Sequence, residues 1–114
     1  MKNNKSCIES RSGCVASAMA IVGSKWTALI LRDLADGSKR FSELERSLIG
    51  ISPKTLSQRL DELEKHEIIT KKHFHEVPPR IEYTMTEKGL DLVPLLKQMA
   101  NWGSKYYNSD FSNL

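Results

Sequence analysis

Residues 52–66 read SPKTLSQRLDELEKH, and this stretch decides the fold. Ser52 followed by Pro53 marks a helix start. The serine hydroxyl accepts from an early backbone N–H, and proline suits the first turn, where its missing donor is not needed. Leu56, Leu60 and Leu63 recur at i, i+4 and i+7, so one face of the helix is buried. Around its N-terminal half the other surface carries Lys54, Thr55, Ser57, Gln58 and Arg59. These supply donors and acceptors suited to phosphates and base edges. Asp61, Glu62 and Glu64 follow only later, where a helix inserted by its N-terminal end has left the groove of a duplex. The stretch reads as a recognition helix.

Working outward, FSELERSL (41–48) is a short helix with Leu44 and Leu48 on its buried side, closed by Gly50. Ser42 is expected as its N-cap, with Glu45 completing a capping box. Two short helices with a tight glycine-containing connection describe a helix-turn-helix. Upstream, Ser24 caps SKWTALILRDLAD (24–36), in which Trp26, Ile30, Leu31 and Leu34 face the core and Gly37 is the stop. CVASAMAIV (14–22) places Val15, Ala18, Met19 and Val22 at helical spacing before Gly23. Downstream the periodicity changes. Ile68 to His75 is rich in β-branched and aromatic residues, and RIEYTM (80–85) alternates apolar with polar. Glu76-Val77-Pro78-Pro79 between them cannot be helix or central strand, because two prolines remove two donors. A β-hairpin with a proline-rich tip results, and behind a helix-turn-helix it is a wing. Thr86 then caps a final helix, residues 86–107, with a stripe of Leu92, Leu95, Leu96, Met99, Trp102 and Tyr106 and an expected kink at Pro94. The class is α+β and mostly α: a winged helix-turn-helix with a wing of two or three strands and a long C-terminal helix.

A chain of 114 residues is one domain by size. Residues 1–13 are expected to form a loose arm, 14–108 the folded domain and 109–114 a loose tail. The net charge of +3 and pI near 8.9 permit a nucleic-acid partner without demanding one. No apolar run approaches the roughly 20 residues that span a bilayer, and MKNNKSCIESRSG has no apolar core of a secretory signal. A cytoplasmic protein is expected, no membrane contact, and its two cysteines, Cys7 and Cys14, as thiols. An enzyme is not supported: the chain has no glycine-rich phosphate loop, no nucleophile-plus-base spacing and no carboxylate pair in an apolar setting. His73 and His75 sit two apart on a strand without a third ligand nearby, so no metal and no cofactor are expected.

From Cys14 through Tyr106 the sequence resembles HxlR-type transcriptional regulators. The matching pieces are SKWTALILRDL (24–34), RFSEL (40–44), GISPKTLSQRLDELE (50–64), EVPPRIEYTMTEKG (76–89) and NWG (101–103). The resemblance implies a homodimer joined through its first and last helices, binding DNA to regulate transcription, and in several members responding to oxidants or electrophiles through a cysteine near the first helix. There are two departures. The family usually shows Cys-Pro where this chain has Gly13-Cys14, which shifts the thiol by one residue. It also favours glycine at the position of Glu67, where a left-handed backbone costs glutamate roughly 1 kcal/mol. A slightly different exit into the wing is therefore expected.

The candidate DNA-contacting residues are Lys25, Arg40, Ser42, Ser52, Lys54, Thr55, Ser57, Gln58, Arg59 and Arg80. Arg80, held beside two prolines, suits a phosphate or the minor groove, and Arg40 and Ser42 suit the backbone, since a helix N-terminus favours an anion. Cys14 reads either as a small buried residue or as a sensing thiol whose pKa the helix start and Arg11 lower, with Cys7 as the second candidate. Val15, Met19, Leu95, Met99, Trp102 and Tyr106 are the candidate dimer seam. The mechanism expected is a two-fold dimer with its recognition helices in successive major grooves, on an inverted-repeat operator. The alternatives are a regulator controlled by a small ligand at the seam, and a winged-helix interaction module with weak DNA affinity.

Overall fold

A computed structural model describes residues 14–107, so the expected arm, its Cys7 and the tail lie outside the described residues. In chain order the elements are α1 (Cys14–Val22), α2 (Lys25–Leu34), β1 (Lys39–Arg40), α3 (Phe41–Ser47), α4 (Pro53–Lys65), β2 (Ile69–Phe74), β3 (Arg80–Met85), α5 (Glu87–Leu90) and α6 (Val93–Tyr107). Helix α2 is the centre, packing against α1, α3, α4, α6 and β3. Its Ile30, Leu31 and Leu34 meet Leu44 and Leu48 from the α3 region, Leu56, Leu60 and Leu63 from α4, and Ile68, Ile69, Tyr83 and Met85 from the sheet. Each leucine taken fully out of water contributes about 1.5–3 kcal/mol, so this shared cluster fixes the angle of α4 on the domain.

The sheet is three-stranded and antiparallel in the order β1-β3-β2. Strands β2 and β3 pair from Ile69↔Met85 to Phe74↔Arg80, with residues 75–79 as the tip and a cis Val77–Pro78 bond. Strand β1 adds Lys39↔Tyr83 and Arg40↔Glu82 on the other side of β3, and Ser38 Oγ lies 2.7 Å from Thr84 Oγ1. The wing is thus tied by its third strand to the segment that starts α3.

Three local expectations are corrected. The N-cap of α3 is Arg40, not Ser42: the helix starts at Phe41, and the Arg40 N–H donates to Glu43 Oε1 at 2.8 Å. The carboxylate three residues after the cap is Glu43, not Glu45, because pairing with β3 holds Arg40 extended and fixes the start two residues earlier. The final helix is broken, not kinked. Thr86 caps only the short α5, accepting from the Gly89 N–H at 3.0 Å, and α6 begins at Val93 with Pro94 in its first turn. The stripe divides accordingly. Leu92, Val93 and Leu96 pack on the core, while Leu95, Met99, Trp102 and Tyr106 are exposed.

The third correction concerns Glu67. It adopts the left-handed conformation after all, with φ of 63°, so the exit from α4 is the one a glycine would make. The Ile68 N–H donates to the Leu63 carbonyl at 2.9 Å and the Glu67 N–H to the Glu64 carbonyl at 3.0 Å. With Leu63 and Ile68 both buried, this is a Schellman cap with its hydrophobic contact. Helix α5 covers the same exit. Lys88 Nζ donates to the His66 carbonyl at 2.9 Å, and the Thr86 hydroxyl points at the Glu67 and Ile68 carbonyls, 2.7 and 3.1 Å away. Gly89 backs onto Ile68 so closely that an added Cβ would collide with its carbonyl oxygen. These contacts outweigh the strain at Glu67. Glu67→Gly is therefore expected to stabilise the protein by about 0.5–1 kcal/mol, the relief of a left-handed glutamate less glycine's entropy cost. Urea denaturation checks this, and an unchanged or lower midpoint contradicts it.

Candidate nucleic-acid interface

The exposed side of α4 is built by its buried one. Leu56, Leu60 and Leu63 are 0, 1 and 2% exposed, which turns Lys54, Ser57 and Gln58 outward into solvent. Ser52 starts the helix as expected: its Oγ accepts from the Thr55 N–H at 3.0 Å and donates to Thr55 Oγ1 at 3.0 Å. The hydroxyls of Ser52 and Thr55 are thus engaged with each other at the cap, which leaves Lys54 as the exposed cation of the first turn. Arg59 is half-buried and reaches along its own helix to Glu62 at 3.3 Å. Of the five polar residues read on this helix, Lys54, Ser57 and Gln58 are the most openly presented.

The turn before α4 is made by Gly50, whose φ of 93° excludes most other residues, with the Ile51 N–H donating to the Leu48 carbonyl at 3.1 Å. It turns the chain from α3 into α4. Arg40 and Ser42, both exposed at the start of α3, share a groove of about 580 Å3 with Pro78, Pro79, Arg80 and Ile81 of the wing. The structure therefore brings three of the candidate contacts together. Lys25 is the first residue of α2, its Nζ 4.8 Å from the centroid of the Trp26 ring.

Arg80 is not the open cation read from the sequence. Its Nη2 lies 3.1 Å from Glu76 Oε2, its Nε 3.3 Å from Glu82 Oε2, and its guanidinium carbon 4.2 Å from the centroid of Phe74. Sequence reading missed these partners. The signal was present for Glu82, since residues two apart on a strand share a face, and absent for Glu76, which only the folded tip brings back.

On the opposite face of the hairpin, Tyr83 is buried beside the acidic half of α4. Burial raises its phenol pKa above the ordinary 10.0, and the charges of Asp61 and Glu64 raise it further. An unfolded tyrosine ionises near that ordinary value while the folded one stays neutral. The contribution to stability is therefore complete below about pH 10 and lost as pH climbs through the folded-state pKa. Tyr83→Phe is expected to blunt the loss of urea resistance between about pH 9 and about pH 11, and an identical loss in both proteins contradicts this.

An exposed polar helix over a leucine-lined base, behind a glycine turn and beside a hairpin, defines a winged helix-turn-helix of the DNA-binding regulator class. The chain belongs to the HxlR-like helix-turn-helix family, whose model matches residues 21–111. It is 38% identical over 111 residues to the uncharacterized HTH-type transcriptional regulator YdeP of Bacillus subtilis, covering 93% of this chain and 87% of that protein. It is 39% identical over 90 residues to the HTH-type transcriptional regulator YodB of the same organism, covering 79% and 80%. The structure of the redox regulator HypR in its oxidized form superposes with a TM-score of 0.77 at 36% identity, covering 80% of this chain and 94% of that one. The relatives are transcriptional regulators and not enzymes. Among the described residues no single helix is long and apolar enough to cross a membrane, and no group of His, Cys, Asp and Glu is placed to hold a metal ion.

Proposed function

We propose that this regulator binds an inverted-repeat operator as a homodimer and represses by occluding a promoter, with a cysteine that releases it on oxidation. The observation that carries the reading is the division of α4 into a buried leucine face and an exposed Lys54, Ser57 and Gln58 face. In a dimer, two such helices enter successive major grooves about 34 Å apart. Lys54, Arg40, Ser42 and Lys25 hold phosphates, Gln58 and Ser57 read base edges, Arg59 shares its charge between Glu62 and the DNA, and Ser52 and Thr55 present the helix start. Residues 14–108 form the DNA-binding and dimerising unit. The seam is supported by Val15 and Met19 on α1 and by Leu95, Met99, Trp102 and Tyr106 on α6, all exposed. None of the residues of α6 is fully buried, and a helix of that length is marginal in water without a partner for its apolar face. The sensing thiol is Cys14, the first residue of α1, with Cys7 as the alternative. The redox reading is supported by the likeness to HypR.

A second reading keeps the DNA site and replaces the signal by a small apolar effector. It is favoured by a groove of about 440 Å3 between α2 and α6, lined by Ala28, Leu29, Val93, Leu96 and Met99 with Arg32 and Lys97 at its edge. Fluorescence anisotropy with the DNA upstream of the protein's own gene, in reductant and after diamide, tests both. Salt-dependent binding that diamide abolishes and reductant restores supports the cysteine switch. Binding indifferent to diamide moves the signal to the groove. No preference over random duplex contradicts the operator reading.

A further inference from the structure

We propose that Arg80 is a positioning residue of the wing and not a phosphate contact, and that the wing meets DNA through the apolar tip Val77-Pro78-Pro79. The inference rests on the DNA-binding reading above and says how the hairpin takes part in it. In the paired strands Arg80 lies opposite Phe74, and Glu82 opposite Lys72, so all four share one face. The guanidinium closes over the Phe74 ring and bridges Glu82 on its own strand to Glu76 on the far side of the tip. Lys72 approaches the same ring, its Nζ 5.2 Å from the centroid. One arginine thus joins both strands and the returning loop just below the tip, with only 26% of its side chain exposed.

Charge and chemistry point the same way. A phosphate approaching Arg80 meets the carboxylates of Glu76 and Glu82, whose charges cancel those of Arg80 and Lys72. Beyond this cluster Val77 to Pro79 carry no cation: Val77 is fully exposed and is followed by two exposed prolines, which have no N–H to give a phosphate. What the tip offers is apolar surface on a stiff loop, the kind of side chain that packs against the sugar walls of a minor groove. The groove between this tip and the start of α3 leaves the phosphate contacts to Arg40 and Ser42.

The test is an anisotropy titration across KCl on the DNA upstream of the protein's own gene, with hydroxyl-radical footprints of the same complexes. Arg80→Gln and Arg80→Lys are each expected to weaken binding about three- to tenfold while leaving the log–log salt slope at the wild-type value. Glu76→Gln combined with Glu82→Gln is expected to weaken binding as well, although it removes two negative charges. Protection of the flanking minor groove is lost in these variants and in Val77→Ser, whereas protection over the half-sites and the melting temperature stay as in wild type. The proposal is overturned if Arg80→Lys binds like wild type while Arg80→Gln lowers the slope by about 0.9, the signature of one lost phosphate contact. It is equally overturned if the double carboxylate variant binds more tightly. Lys54→Ala, run alongside, separates the two levels: its slope falls by about 0.9 if the recognition-helix reading holds, whichever way the Arg80 variants behave.

Discussion

Leu60→Ala is expected to cost about 3 kcal/mol, from the usual range for a buried leucine cut back to alanine. Leu60 is 1% exposed and is the middle of the three leucines that seat α4 on the core. A domain of this size holds only about 5–15 kcal/mol of net stability, so the loss is a large share of it. Melting should fall by roughly 10–20 °C, with DNA binding failing at temperatures where the wild type still binds. Gln58→Ala on the opposite face is expected to stay within about 0.5 kcal/mol of wild type. Urea denaturation of the two variants side by side checks the contrast. Equal losses would mean that the two sides of α4 are not divided as described.

Trp102→Glu is expected to give a folded monomer whose DNA affinity is lower by about 100-fold. Trp102 is 59% exposed within one chain, and its ring contacts among the described residues are with Tyr106 and Tyr107 on its own helix, at centroid distances of 5.4 and 5.7 Å. Losing it therefore removes little from the core. A carboxylate at the proposed seam faces apolar side chains of the second copy and cannot be desolvated there without a partner. Once the dimer separates, each half-site binds alone and the gain from linking them disappears, which is typically worth 100- to 10,000-fold. Sedimentation velocity with anisotropy reads both effects. A variant that stays dimeric, or a monomer that binds as tightly as wild type, contradicts the assignment of the seam.

How far the sequence carried depended on whether the deciding contacts were local. Helix α4 was legible because Ser52, Pro53 and the leucine spacing act within one element, and the hairpin because Pro78 and Pro79 separate a β-branched and aromatic run from an alternating one. Strand β1 was not legible. Lys39 and Arg40 have no strand pattern of their own and are extended only because β3 pairs with them, which also moved the start of α3 away from Ser42. The break before α6 was read only as a kink at Pro94, although a proline fits the first turn of a new helix better than the middle of a long one. Glu67 was misjudged for a different reason: the local cost of a left-handed glutamate was correctly sized, but the Schellman bonds and the cover from Thr86 and Lys88 outweigh it. Arg80 shows the same limit at the site. Read alone it is a cation beside prolines, and only the folded hairpin places Glu76, Glu82 and Phe74 around it.

The central claim is that this chain reads a DNA sequence with the exposed face of α4. Selection of bound duplexes from a random library, by the wild type and by Gln58→Ala in parallel, tests it most directly. The wild type should enrich an inverted repeat with half-site centres about 10 base pairs apart, and Gln58→Ala should relax one base position in each half-site while keeping the rest. Failure of the wild type to enrich any sequence, or the same profile from both proteins, would contradict it.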